Sequence, residues 1–247
     1  MQLQDLTALV TGSTSGVGRE TALLLAKEGA LVIVSGRNAA KGADTVAAIE
    51  AAGGKAKFMA ADLSDLESVR RLADKAGEVD ILVNNAGAFP FAPTLEQGLD
   101  TFTTLFDTNV RGTYFLTQAL VEKMAAKGAG SVVNVTTVAG LSGVGGTSAY
   151  GATKAAVDSF TRTWAVEFGG SGVRVNAVAP GHTKTDNVVD MIGEDDFEQL
   201  GARVPLGRLA SAREIAEAIV FLASPRASYI TGVTLAADGG FMALGVA

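Results

Sequence analysis

The chain contains no cysteine. Disulfides, thiolate catalysis and cysteine-bound metal are therefore excluded, and a reducing compartment is compatible with the sequence. Histidine is almost as scarce, with His182 the single copy. A multi-histidine zinc site is impossible, and a Ser-His-Asp hydrolase would depend on that one residue. No G-x-S-x-G elbow supports such a hydrolase. No basic run is present and the net charge is −6, so neither nucleic acid nor an anionic membrane is expected as a partner. No apolar run approaches the ~20 residues of a membrane span. Met1-Gln2-Leu3-Gln4-Asp5 lacks the basic and apolar regions of a signal peptide. The expectation is a soluble cytoplasmic protein.

What remains is globular in character. The 247 residues suit one α/β domain, 48% are hydrophobic and 19% charged, which argues against disorder. The 30 glycines are scattered without a triplet period, so collagen-like and linker readings fail.

Short apolar runs alternate with helical patterns. Leu6–Thr11, Leu31–Ser35, Lys57–Ala60, Asp80–Val83, Ser131–Val135, Val173–Val178 and Val233–Ala236 read as strands. Helices are expected over Arg19–Glu28, from a cap at Asn38 to Gly53-Gly54, and over Ser64–Ala76, Leu95–Asn109, Thr113–Lys127, Ala149–Phe168 and Ala210–Ala223. Ser64-Asp65-Leu66-Glu67 has the pattern of a capping box. Strands without polar alternation are buried on both faces, and intervening helices imply parallel pairing. The expected fold is a single-domain, doubly wound parallel sheet of about seven strands, Rossmann in type, with helices on both faces. No linker or internal repeat divides residues 1–247.

The sharpest local feature is Thr11-Gly12-Ser13-Thr14-Ser15-Gly16-Val17-Gly18, after the first strand and opening the first helix. A pyrophosphate needs close backbone approach and free N–H groups at a helix N-terminus, and glycine permits both. Gly12, Thr14, Ser15, Gly16, Val17 and Gly18 are the candidate phosphate cradle; a plain tight turn is the alternative. The second strand ends in Ser35-Gly36-Arg37-Asn38. An acid there would bind ribose hydroxyls and repel a 2′-phosphate. Arg37 instead offers a planar cation suited to phosphate, which favours NADP(H) while leaving NAD(H) possible. A solvated surface arginine is the alternative. Asp62-Leu63 falls where an adenine edge would lie, unless Asp62 only starts a helix. Asn85, Ala86 and Gly87 in Asn84-Asn85-Ala86-Gly87 let a cofactor pack against backbone, and the asparagines can tie adjacent strands.

Tyr150 and Lys154 stand four apart in a predicted helix and so share one face. A free tyrosine has a pKa of about 10, and a neighbouring ammonium is expected to lower it. Such a group can give a proton to a carbonyl or take one from an alcohol. The ordered set T-G-x-x-x-G-x-G, N-N-A-G and Y-x-x-x-K resembles the short-chain dehydrogenase/reductase family. The resemblance spans the chain through Asn109, Pro180-Gly181, Ile230-Thr231-Gly232 and Asp238-Gly239-Gly240. Within the family it points to the ~250-residue branch of 3-oxoacyl-carrier-protein reductases and sugar, steroid and small-ketone reductases.

The resemblance implies roles. Tyr150 would be the general acid/base, and Lys154 would lower its pKa and hold the nicotinamide ribose. Asn109 would hold a relay water behind Lys154, and Arg37 would meet the 2′-phosphate. After Pro180-Gly181, the Thr183 backbone and the Thr185 hydroxyl would fix the nicotinamide amide. One position departs: where the family usually has serine, thirteen residues before the tyrosine, this chain has Thr137. Threonine keeps the hydroxyl but adds a methyl and a stiffer χ1. Thr137 is taken as the donor, with Thr136 or Ser142 as substitutes. An impaired site, and hence a catalytically weak dinucleotide-binding regulator or scaffold, is the alternative function.

Residues 182–203 hold Met191, Ile192 and Phe197 among Asp190, Glu194, Asp195, Asp196 and Glu198. They read as an amphipathic surface helix or, by the resemblance, a substrate lid. His182 is expected to be solvated or structural. Phe89, Pro90 and Phe91 line a pocket wall or simply pack. The substrate is a small or medium carbonyl or alcohol. The acidic lid argues mildly against a highly anionic acyl carrier. The family is usually tetrameric, so a homotetramer or homodimer is expected. Phe160, Trp164 and Phe168 form a stripe that is either core or interface.

Overall fold

A computed structural model describes residues 1–185 and 199–244. The strands of the main sheet are β1 (Thr7–Thr11), β2 (Leu31–Gly36), β3 (Lys55–Ala60), β4 (Ile81–Asn84), β5 (Gly130–Val135), β6 (Val173–Pro180) and, last in sequence, β9 (Thr234–Ala237). All seven pair in parallel, in the order β3-β2-β1-β4-β5-β6-β9. Two chain directions of winding meet between β1 and β4, and the crevice there opens at the carboxyl ends of the strands.

Alternation of side chains explains the two cores. Ala8 and Val10 of β1 pack with Leu25 and Ile219 on one face, while Leu9 packs with Leu72, Leu120 and Val175 on the other. Each fully buried leucine or isoleucine contributes about 1.5–3 kcal/mol. The helices that cover these faces are α1 (Gly16–Lys27), α2 (Ala39–Ala51), α3 (Leu66–Ala76), α4 (Leu99–Phe106), α5 (Thr113–Lys127), α6 (Ser148–Gly169) and α7 (Ala212–Ala223). The edge strand β3 departs from the continuous apolar pattern, because Lys55 and Lys57 turn to solvent.

Asn38 caps α2 by accepting from the Lys41 N–H at 3.0 Å, and Gly53 ends it with φ +81°, as expected. Several boundaries differ. The expected capping box at Ser64 does not form. Asp65 is the N-cap and accepts from the Glu67 N–H, while the Ser64 hydroxyl donates to Asp62 at 2.7 Å. The nearer carboxylate out-competes the helix terminus for that hydroxyl. A capping box stands instead at Ser211–Glu214, opening α7. Ala210 and Ser211, expected in that helix, form the short strand β8 paired with β7 (Thr183–Lys184). The helix expected over 95–109 is a 3-10 turn at Thr94–Glu96, then α4, then a π-helical turn at Asp107–Gly112 leading into α5. A π turn inserts one extra residue per turn, which periodicity does not signal. Helix α1 begins within the glycine turn, three residues before the expected Arg19.

The aromatic stripe Phe160, Trp164 and Phe168 packs into the second core, where Tyr114 meets Phe160 at 5.3 Å and Trp164 at 5.7 Å. Most of the expected lid, residues 186–198, lies outside the described residues. Among the described residues, no helix is long and apolar enough to cross a membrane, and no acidic or histidine cluster could hold a metal.

Candidate active site

The site assembles at the carboxyl ends of β1, β4, β5 and β6. Gly12 turns there with φ +63°, and a Cβ on it would stand 2.8 Å from the Ala86 Cα. A Cβ on Gly18 would stand 2.3 Å from the Gly12 carbonyl. Only glycine lets the turn fold back on the β4 loop this tightly. The contact is held by Asn85, whose Nδ2 donates to the carbonyls of Thr11 (3.0 Å) and Gly12 (3.1 Å). The Thr11 hydroxyl accepts from the N–H groups of Asn85 and Ala86, both at 3.0 Å. Buried Ser13 ties the turn to β2 by accepting from the Ser35 N–H at 3.0 Å.

The N-terminus of α1 has no side-chain cap and no acid in its first turn. Gly16 lies at φ +52° there, and a Cβ would meet the Thr185 methyl at 3.4 Å. The β6 turn and the glycine turn therefore face each other. At the end of β2, the Thr14 side chain covers Gly36, and Arg37 is exposed. Asp62 lies close enough to feel the Arg37 charge. Burial pushes its carboxyl up, but the Ser64 hydroxyl and N–H, with Arg37, more than offset this and leave it below the usual range. Leu63 is buried, and its carbonyl fills the space beside Gly112.

The asparagines do tie the strands. Asn84 Nδ2 donates to Asn134 Oδ1 at 2.8 Å and to the Thr117 hydroxyl at 2.9 Å. Asn109, on the π turn, accepts from the Ala88 N–H and donates to the Ala88 carbonyl, both at 2.8 Å, and also donates to Thr153 at 3.0 Å. It therefore clamps the loop after β4. A Cβ on exposed Gly87 would stand 3.2 Å from Asn109 Oδ1 and 3.3 Å from Lys154 Nζ. Glycine leaves both polar groups open to a molecule in the crevice.

Of the three candidate hydroxyls, only Thr137 lies near enough to the Tyr150 phenol to act on it. Thr136 donates to the Val178 carbonyl at 3.2 Å and Ser142 to the Val138 carbonyl at 3.0 Å. Thr137 is held by accepting from the Ala139 N–H at 3.3 Å. Phe91 stands edge-on to Tyr150, with centroids 6.1 Å apart. Its loop is pinned by the Ala92 N–H donating to the Gly146 carbonyl at 2.9 Å.

The electrostatics depart from the expected lowering of Tyr150. Burial pushes the phenol up to about 12, and the Thr137 hydrogen bond only partly opposes this. Lys154 is itself buried, which pulls its ammonium down to about 8, with the Asp158 charge opposing. Its Nζ donates to the Val135 carbonyl at 2.8 Å. Desolvation outweighs the Thr137 hydroxyl at Tyr150 and the Asp158 charge at Lys154.

Gly181 packs against Asp238, where a Cβ would come within 2.7 Å of the Cα. After Pro180-Gly181, the Thr183 hydroxyl donates to the Gly181 carbonyl at 3.0 Å, making a tight turn. His182 stacks edge-on with Phe241 at 5.2 Å, and burial lowers its pKa, in keeping with a structural residue. Two residues went unnoticed in the sequence. Thr153 holds Asn109, and Asp158 lies one turn beyond Lys154; both share the buried face of α6 with Lys154.

The sequence profile described as "Enoyl-(Acyl carrier protein) reductase" matches residues 12–242. The chain is 42% identical to the cis-4-hydroxycyclohexanecarboxylate dehydrogenase of Sinomonas cyclohexanicum over 96% of each chain. A solved structure of a short chain dehydrogenase/reductase family protein is 55% identical, with a TM-score of 0.94 over 99% of this chain and 100% of that one. The gluconate 5-dehydrogenase of Burkholderia cenocepacia J2315, solved with NADP and tartrate, is 31% identical. Its TM-score is 0.93 over 99% of this chain and 98% of that one.

Proposed function

Because the chain belongs to the short-chain dehydrogenase/reductase family, whose members act on CH–OH and C=O groups, we propose an NADP(H)-dependent reductase or alcohol dehydrogenase with Tyr150 as its general acid/base. The observation that carries this reading is that Tyr150 and Lys154 share α6, with the Thr137 hydroxyl near the phenol and Lys154 Nζ against Gly87 of the loop after β4.

The crevice fits a dinucleotide. The uncapped N-terminus of α1, lined by Gly12, Ser15, Gly16, Val17 and Gly18, would take the pyrophosphate. Exposed Arg37, with Thr14 beside it, would take the 2′-phosphate. Asp62 and Leu63 would border the adenine. Ala86 and Gly87 would admit the nicotinamide ribose to Lys154, and Pro180, Gly181, Thr183 and Thr185 would flank the nicotinamide. When bound, the nicotinamide supplies or accepts the hydride.

In reduction, the Tyr150 hydroxyl gives its proton to the substrate oxygen while Thr137 donates a second hydrogen bond to it. A phenol pushed up to about 12 stays protonated at neutral pH, which suits the acid role. Charged Lys154 steadies the phenolate left behind, and Asn109 positions the loop that borders Lys154. In oxidation the proton moves the other way.

The walls beside Tyr150 hold no charged side chain from Ala86 to Leu95 or between Lys127 and Lys154. With the Phe91 ring exposed at 44%, this favours an uncharged, apolar-faced carbonyl or alcohol over a phosphorylated one. The regulator reading rested on threonine at 137. A Thr137 hydroxyl near enough to act on the Tyr150 phenol supports the enzyme reading instead. Exposed Tyr114 and Phe115 on α5 support self-association as a homodimer or homotetramer.

The test is a panel of neutral cyclic and open-chain ketones and alcohols with NADPH, NADH and their oxidised forms. Turnover with NADPH above NADH is expected. Tight dinucleotide binding without turnover on any member would return the chain to the regulator class.

A further inference from the structure

The buried face of α6 carries a row of polar side chains, each of which reaches another element. Thr153 meets Asn109, Lys154 meets the Val135 carbonyl, and Thr161 meets Asn134. Asp158 belongs to the same row and takes no part in the proton transfer described above. It is 2% exposed, and it stands one helical turn beyond Lys154 and two beyond Tyr150. Its Oδ1 accepts from the Thr234 hydroxyl of β9 at 2.9 Å. Its Oδ2 has no hydrogen-bond partner among the described residues. The nearby Thr136 hydroxyl has a single proton, which the Val178 carbonyl takes at 3.2 Å. Burial pushes the Asp158 carboxyl above its usual range, while the Thr234 hydroxyl, the same Thr136 proton turned toward it, Arg162 and Lys154 favour its charged form.

A buried carboxylate with an unsatisfied oxygen is costly unless an opposite charge compensates it. Lys154 is a buried ammonium with the complementary need, and among the described residues Asp158 is the one charged group that acts on it. The other charges on neighbouring elements face elsewhere. Asp107 and Arg111 of the π turn pair with each other at 3.0 Å, and Arg111 also reaches the Ser64 carbonyl. Arg174, at the start of β6, binds the carbonyls that end α7. Asp238, after β9, accepts from the N–H groups of Gly240 and Met242. β5 and β9 carry no charged side chain. Arg162, one turn further along α6, is exposed and acts on Asp158 from the solvent side.

We propose that Asp158 is the counter-charge that keeps Lys154 an ammonium, a positioning residue that acts on Tyr150 through Lys154. The inference rests on the proton-transfer reading only for its effect on turnover. Its effect on Lys154 is independent of that reading.

The test uses full-length protein labelled with [6-13C]lysine and titrated by NMR, with the Lys154 signal identified by its loss in Lys154→Arg. The wild-type midpoint is expected near 8. Asp158→Asn keeps the side chain's shape and should lower that midpoint by roughly one pH unit, the low end for loss of a nearby opposite charge. Asp158→Ser removes the charge with a smaller side chain and should lower it by a similar amount. An unmoved midpoint in either folded variant overturns the proposal. The alkaline limb of carbonyl reduction should move down with the midpoint. A midpoint that falls while that limb stays in place would leave the counter-charge standing and refute the role of Lys154 in turnover.

Discussion

Replacing Lys154 with methionine separates what that residue costs the fold from what it contributes to the site. Its ordinary pKa of 10.5 falls to about 8 on burial, a gap of about 2.5 pH units. At about 1.36 kcal/mol per unit, the buried ammonium opposes folding by roughly 3–4 kcal/mol at neutral pH. Methionine fills similar space without charge, but it strands the Val135 carbonyl that Lys154 satisfies. Leaving that acceptor unpaired costs about 1–3 kcal/mol. The variant should therefore be about 1–2 kcal/mol more stable at pH 7 while losing activity. The pH dependence is sharper. A group whose folded pKa is depressed to about 8 from an unfolded value near 10.5 binds fewer protons in the folded state between those limits. Wild-type stability should then rise as pH goes from 8 toward 9.5, by about 2 kcal/mol from this group. Groups that titrate in both proteins cancel in the comparison. Urea unfolding at matched protein concentration, at pH 7 and pH 9.5, measures both effects. A variant with the wild-type pH slope, or one less stable at both pH values, would refute the burial argument.

Other perturbations have equally definite outcomes. Arg37→Ala should weaken NADPH binding by about 1.5–3 kcal/mol, roughly 10- to 100-fold, and leave NADH unchanged; equal losses for both would place Arg37 away from the 2′-phosphate. Thr137→Ser should stay within a few-fold of wild-type turnover, whereas Thr137→Val should lose roughly 10- to 100-fold for want of the hydroxyl. A Thr137→Val enzyme with normal kcat would remove Thr137 from the site. Gly87→Ala puts a methyl 3.3 Å from Lys154 Nζ in an exposed loop, so turnover should fall at least about tenfold while Tm moves little. Full activity in that variant would mean nothing needs to approach Lys154 there. Carbonyl reduction should decline above pH 8 as Lys154 loses its proton, and a profile flat to pH 10 would show that its charge is not needed.

The seven parallel strands were legible because each is a short apolar run between helical patterns, and the glycine turn announced itself by its spacing. Thr137, taken as the donor from the family resemblance, lies near enough to the Tyr150 phenol to act on it. Boundaries failed where competing local bonds decide them: the Ser64 hydroxyl turns to Asp62, and the π turn at Asp107–Gly112 interrupts an otherwise helical pattern. The direction of the Tyr150 shift was misjudged for a related reason. Spacing reports that Lys154 shares a face with Tyr150, but it does not report how deeply both are buried. Asp158 was overlooked because an acid on a helix is ordinarily solvated, whereas this one is buried with its carboxylate on the Thr234 hydroxyl.

The assignment of the proton to Tyr150 is tested most directly by Tyr150→Phe, with turnover and NADPH affinity measured on the same preparation. Loss of a positioned acid/base should lower kcat by roughly 10²- to 10⁴-fold, with NADPH affinity within a few-fold of wild type. Wild-type turnover in Tyr150→Phe would contradict the account.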